Sequence, residues 1–143
     1  MSVTIEVVRE VGDELVEAFG RLLPQLSRSA AALDAEQIHA IGAWPGNRLL
    51  VARVDGAIAG TLTLVVFPIP TGLRAWIEDV VVDESARGHG VGAALTQEAV
   101  RLARAEGAKT VDLTSRPSRA AANRLYERLG FQVRESKVYR LDQ

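Results

Sequence analysis

Polar and apolar positions fall into a short series of periodic blocks. Residues 2–8 alternate (Val3, Ile5, Val7), which predicts a first strand. From Asp13 the period becomes helical, with Leu15, Val16, Phe19, Leu22, Leu23 and Leu26 on one stripe. Asp13 is its expected N-cap, and Pro24 is expected to end or kink the helix just before it. Residues 33–38 predict a second helix: Asp34 caps, Gln37 reaches back to close a capping box, Leu33 staples onto Ile38, and the helix ends near Gly42. Two apolar, β-rich runs at 48–54 and 57–67 flank Asp55-Gly56, which reads as a two-residue hairpin turn. Pro68 and Pro70 remove ladder donors, so residues 67–72 are expected as a turn at one rim of the sheet, with the next strand at 73–83.

Helical spacing returns at Val91, Ala94, Leu95, Ala99 and Leu102, in a helix expected to run to about Glu106 and stop at Gly107. Residues 110–114 read as a short strand and 116–118 as a loop. Ala122, Leu125 and Leu129 mark the core face of a last helix closed by Gly130. Alternation over 133–141 predicts a final strand, or a hairpin bent near Ser136. No repeat, low-complexity tract or linker interrupts the pattern, so a single domain spanning residues 1–143 is expected.

The stretch that concentrates chemistry is VVVDESARGHGVGAAL, residues 80–95. Its β-branched run breaks at Asp83-Glu84-Ser85, passes glycines at 88, 90 and 92, and enters the helix. Glycine lacks the Cβ that would hold a ligand off the backbone, and the first turn of a helix leaves N–H groups unpaired. With the helix dipole and Arg87, those groups make a seat for an anion such as pyrophosphate. No Gly-Lys-Ser/Thr follows, so this is not a Walker A loop, and the glycine spacing is not the dinucleotide fingerprint.

Arg87, Gly90 and Gly92, placed behind a strand reading WIEDVVVD, resemble the acetyl-CoA signature of the GNAT N-acetyltransferases. The later segment ANRLYERLGF, Ala122 to Phe131, resembles that family's second motif at the expected distance, and the resemblance covers residues 74–133. It implies an α/β (α+β) GNAT fold, with a mixed, mostly antiparallel sheet of six or seven strands flanked by about four helices and splayed between strands four and five. It also implies acetyl-CoA as co-substrate. The pantetheine arm and thioester oxygen would lie on the backbone of Val80, Val81 and Val82, and the pyrophosphate on Arg87, Gly88, His89, Gly90, Val91, Gly92 and Ala93. Asn123 would stand near the arm and Tyr126 near the sulfur.

Within that resemblance Glu78 is the candidate base, taking the amine's proton directly or through water, and Tyr126 is the candidate acid for the departing thiolate. Strand alternation predicts that Glu78 shares a face with Val80 and Val82, with Asp79 opposite. Structural roles compete with these: Glu78 or Asp79 paired with Arg74, and Tyr126 packed with its hydroxyl at the surface. His89 reads as a backbone contributor, His39 as a solvated helix residue, Trp44 as a roof over the acceptor or over the core, and Tyr139 as packing. Arg116 and Arg119 read as contacts to a phosphate or carboxylate, or as solvated.

Composition narrows the chemistry. The chain has 143 residues, 48% hydrophobic and 24% charged, which describes one globular domain. A net charge of -1 gives no general attraction to nucleic acid or anionic membrane, so neither is expected as a partner. The absence of cysteine excludes disulfides, thiolate zinc sites and a cysteine acyl-enzyme, and two histidines are too few for a histidine-rich site, so no metal is expected. No Gly-x-Ser-x-Gly elbow activates a serine, which leaves direct attack by the acceptor.

The expected function is acetyl transfer from acetyl-CoA to a primary amine of a small molecule or protein. The other reading is a non-catalytic acyl-CoA sensor or interaction module on the same fold, which would not require Glu78 and Tyr126. The opening MSVTIEVVRE carries acids and no apolar run long enough for a signal peptide or spanning helix, which points to the cytoplasm. An exposed last strand would give two copies an edge on which to form a homodimer.

Overall fold

Strand pairing begins with β1 (Val3–Val7), antiparallel to β2 (Asn47–Val54), which pairs antiparallel with β3 (Ala57–Ile69), and that in turn with β4 (Gly72–Val82). β5 (Val111–Asp112) joins β4 in parallel, giving a five-stranded mixed sheet in sequence order. The helices are α1 (Asp13–Leu26), α2 (Ala35–Ala43), α3 (Val91–Ala105) and α4 (Ala120–Arg128), with a single 3-10 turn at Glu84–Ala86. The computed structural model describes residues 2–143, which divide into two units, the first ending at Leu113 and the second starting at Thr114. No helix of the described residues is long and apolar enough to cross a membrane.

In the first unit the sheet carries helices on both faces. Leu15, Ala18, Phe19 and Leu22 of α1 and Ile38 of α2 pack on Leu49, Val51, Ile58 and Val81. On the other face Gly60 admits α3: a Cβ there would stand 3.2 Å from the side chains of Val91 and Leu95 and 3.1 Å from Val81 O. That close approach brings the start of α3 against the end of β4. The capping box of α2 forms as read, Gln37 N donating to Asp34 Oδ1 at 2.8 Å and Asp34 N to Gln37 Oε1 at 2.9 Å. Asp55 and Gly56 both take positive φ, 50° and 90°, the conformation of a two-residue hairpin turn.

Four expectations need correction. Gly12, not Asp13, is the N-cap of α1, and the helix runs through Pro24 to Leu26. Leu22 is fully buried and Leu23 and Leu26 pack against the core, so burial of the last turn offsets a proline penalty of about 3 kcal/mol. β3 likewise continues through Pro68 to Ile69. Val66 N donates to Gly46 O at 2.7 Å, so by the two-residue period the nitrogen of Pro68 also faces the β2 side, where β2 no longer runs and no donor is required.

Among the described residues the sheet has five strands, not six or seven. Residues 133–141 form no strand: Val133, Val138, Tyr139 and Leu141 are 71–88% exposed, and alternation without a neighbouring strand stabilises nothing. The fourth correction concerns β4. Thr63 pairs with Glu78 but Thr61 with Val81, so Asp79 and Val80 together oppose Leu62 in a bulge, with Asp79 at φ 49°. The extra residue reverses the alternation. Glu78 shares its face with Val81, and Val82, opposite Gly60, lies on the other face.

Candidate active site

The end of β4 is built to leave main-chain groups free. Pairing to β5 covers only Ala75 with Val111 and Trp76 with Asp112, so residues 77–82 have no strand on that side among the described residues. Asp83 N donates to Ala59 O at 2.7 Å, fixing its main chain toward β3. The strand period then turns the main-chain groups of Val82 toward the side β5 has left, and just before it the bulge takes Asp79 and Val80 out of the regular ladder to β3. These are groups an extended ligand can pair with as if it were a strand.

Past Asp83 the chain forms the 3-10 turn and then the glycine turn. Gly88 and Gly90 take φ of 83° and 78°, and Gly90 is the N-cap of α3 with no side-chain cap. Ala94 N reaches back to Gly90 O at 3.0 Å, but the N–H groups of Val91, Gly92 and Ala93 have no partner among the described residues. A Cβ built at Gly88 or Gly90 meets no protein atom within 4 Å, so the space above the turn is open. Arg87 and His89 are exposed beside it, and no carboxylate pairs with Arg87 among the described residues. Unpaired N–H groups, a helix N-terminus, an unpaired guanidinium and room for close approach fit a pyrophosphate.

Glu78 is exposed on the α1 and α2 face, and Trp76 Nε1 donates to its Oε1 at 2.5 Å. The indole thus fixes one carboxylate oxygen and leaves the other free to accept a proton. Neither Glu78 nor Asp79 pairs with Arg74. Trp44, 68% exposed, stands with Ala40, Ile41 and Asn47 around an open hollow of about 350 Å³.

In the second unit, α4 carries Asn123 and Tyr126. The helix closes as Gly130 at φ 100° lets Phe131 N donate to Tyr126 O at 3.0 Å and Gly130 N to Glu127 O at 3.1 Å. The Phe131 ring meets Tyr126 edge-on at 5.9 Å between centroids, fixing the tyrosine from the C-terminal side. Tyr126 is 8% exposed, and burial pushes its phenol above the ordinary value, opposed by the Arg119 guanidinium. The phenol is therefore protonated across the neutral range and available as a donor. Asn123 Nδ2 donates to Arg116 O at 3.1 Å, which holds the preceding loop and leaves its Oδ1 as an acceptor.

Two residues that the sequence did not single out complete the turn: Arg21 and Gln25 of α1 reach Asp83 and Glu84. The Ser85 N–H, with Arg21 and the Ser85 hydroxyl, holds the Asp83 carboxyl below its usual value, outweighing desolvation. A lowered carboxyl stabilises the fold above its unfolded value, and the contribution is lost as pH falls through the folded one. Asp83→Asn is accordingly expected to lose stability less steeply than the wild type as pH falls below about 4, the ordinary carboxylate value. Urea unfolding at a series of acidic pH values measures this; parallel curves would count against it.

Comparison with known proteins gives the class. The Acetyltransferase (GNAT) family model matches residues 11–131. Glucosamine 6-phosphate N-acetyltransferase of Trypanosoma brucei brucei is 41% identical over 99 residues, covering 67% of this chain and 65% of that protein. A solved Trypanosoma brucei acetyltransferase superposes with TM-score 0.80 at 28% identity, over 99% of this chain and 100% of that one. A Bacillus halodurans protein described as a transcriptional regulator does so with TM-score 0.83 at 28% identity, over 99% and 100%. The chain belongs to the GNAT acetyltransferase family, whose members use acetyl-CoA and an amine acceptor. It spans just under two thirds of the length of its Trypanosoma brucei brucei relative.

Proposed function

We propose that this chain is a single N-acetyltransferase domain, residues 1–143, that transfers an acetyl group from acetyl-CoA directly to a primary amine of a small molecule or protein. The observation that carries this reading is the continuity at the end of β4. Residues 77–82 lack a strand on the side left by β5, and the same chain runs on into the left-handed glycine turn and the unpaired N–H groups of α3. An elongated ligand with amides at one end and a pyrophosphate at the other matches that sequence of features.

Bound acetyl-CoA supplies the activated acetyl thioester. The N–H groups of Val91, Gly92 and Ala93, with Arg87, hold the pyrophosphate; the main chain of Val80, Val81 and Val82 orients the arm, with Asn123 Oδ1 as a further acceptor. Glu78 takes the proton of the ammonium through its free carboxylate oxygen, so that a neutral amine attacks. Tyr126 Oη gives its proton to the departing sulfur. No role in this scheme requires a metal.

The name of the Trypanosoma brucei brucei relative makes glucosamine 6-phosphate the first acceptor to try, beside polyamines and lysine peptides. Thiol release from acetyl-CoA is expected with at least one of them. With that acceptor at neutral pH, Glu78→Gln is expected to lower turnover by about a hundredfold and to leave acetyl-CoA affinity unchanged. Undiminished turnover in Glu78→Gln would remove it as the base. Tight acetyl-CoA binding with no turnover on any amine would favour an acyl-CoA sensor.

A further inference from the structure

Helix α1 reaches the end of β4 through two side chains one turn apart. Arg21 Nη1 donates to Asp83 Oδ2 at 2.5 Å and Nη2 to Ile58 O at 3.2 Å, while Gln25 Oε1 accepts from Glu84 N at 3.0 Å. Asp83 Oδ1 accepts from both Ser85 N and Ser85 Oγ at 3.1 Å. Its N–H donates to Ala59 O at 2.7 Å, and its carbonyl accepts from Ala86 N at 2.8 Å. Every polar group of Asp83 therefore has a partner, and its side chain is only 13% exposed. The guanidinium also meets Glu17 on its own helix at 3.3 Å, a pair exposed to solvent.

We infer that Arg21 is a positioning residue for the anion seat at Arg87–Ala93, fixing the Asp83–Ala86 turn and neutralising the Asp83 carboxylate at its entrance. This rests on the proposed use of that seat for the pyrophosphate of CoA. Arg21 donates to Asp83 and Ile58, not to the seat itself, so its action is indirect. Two consequences follow from Coulomb's law at partly buried sites. Without Arg21 the Asp83 carboxylate keeps its Ser85 contacts but becomes an uncompensated negative charge in the turn that leads to the pyrophosphate. The turn also loses one of its two ties to α1, with only the Glu84 N to Gln25 Oε1 bond left. Both weaken anion binding and leave the reacting atoms alone, so the effect belongs in affinity and not in turnover at saturation.

The test is calorimetric titration of the full chain with CoA, alongside the KM for acetyl-CoA and kcat with whichever acceptor releases thiol. Arg21→Met is expected to raise the CoA dissociation constant about tenfold, the scale of one charge-assisted hydrogen bond, with kcat within about twofold. Arg21→Lys, which keeps the charge, is expected to recover part of the affinity. The double variant Arg21→Met/Asp83→Asn is expected to bind CoA more tightly than Arg21→Met, because the uncompensated charge is gone; affinity no better than that of Arg21→Met would remove the charge as the cause.

Arg48→Met serves as control. It breaks the two-pronged pair of Arg48 with Glu106, at 2.6 and 3.0 Å, on the opposite face of the sheet, and CoA affinity should be unaffected. A dissociation constant for Arg21→Met within twofold of wild type, or an equal loss in Arg48→Met, would overturn the inference while leaving the proposed activity standing. Absence of CoA binding by the wild-type chain would overturn both.

Discussion

Replacing Gly90 by valine is expected to abolish acetyl-CoA binding while leaving the chain folded. Gly90 sits at φ 78° as the N-cap of α3. A β-branched residue held in the left-handed region costs on the order of 1–3 kcal/mol, within the margin of a domain stabilised by roughly 5–15 kcal/mol. The fold loses no contact, because a Cβ at this position meets no protein atom within 4 Å. The ligand loses much more. The space the valine fills is the one through which a phosphate would approach the N–H groups of Val91, Gly92 and Ala93, and holding an anion even 1–2 Å away breaks those hydrogen bonds. Circular dichroism and thermal unfolding check the fold, and calorimetric titration checks binding. Wild-type affinity in a folded Gly90→Val chain would sink the proposed backbone seat.

Tyr126→Phe is expected to have the opposite signature, with binding kept and turnover lost. The substitution removes one oxygen and little else. The edge-on contact with Phe131 at 5.9 Å persists, as do the main-chain bonds that close α4, so stability should change by no more than about 1 kcal/mol. Burial keeps the phenol protonated at neutral pH, so the wild-type group is a ready proton donor there. Loss of general acid catalysis lowers turnover by about 10²–10⁴-fold. Steady-state rates with calorimetric affinity for acetyl-CoA separate the two quantities; unchanged turnover would remove Tyr126 as the acid.

What could be read from the chain was what is decided locally. The α2 capping box is written in residues three apart, and the Asp55-Gly56 turn in adjacent ones, so both were legible. The glycine turn between β4 and α3 was legible for the same reason. The reversal of Glu78 relative to Val82 was not, because a bulge is set by how many residues on β3 oppose those on β4, and β4 taken alone alternates without a break. Pro24 and Pro68 are breakers by their own chemistry. Core packing by the neighbouring leucines overrode the first, and the missing neighbour beside β3 made the second harmless. Arg21 carries no local signal, because its partner lies 62 residues away. The alternation at 133–141 was a true pattern without a partner strand.

The most direct test is the shift in unfolding stability on adding saturating acetyl-CoA, compared with an adenine nucleotide that lacks the pantetheine arm. At about a hundred times its dissociation constant, a ligand that binds only the folded state adds roughly 2.7 kcal/mol. A shift of that size is expected with acetyl-CoA, and a smaller one with the nucleotide, because the nucleotide engages the anion seat but not the free main chain of Val80 and Val82. No shift with acetyl-CoA, together with a flat calorimetric titration, would contradict acetyl-CoA binding at the end of β4.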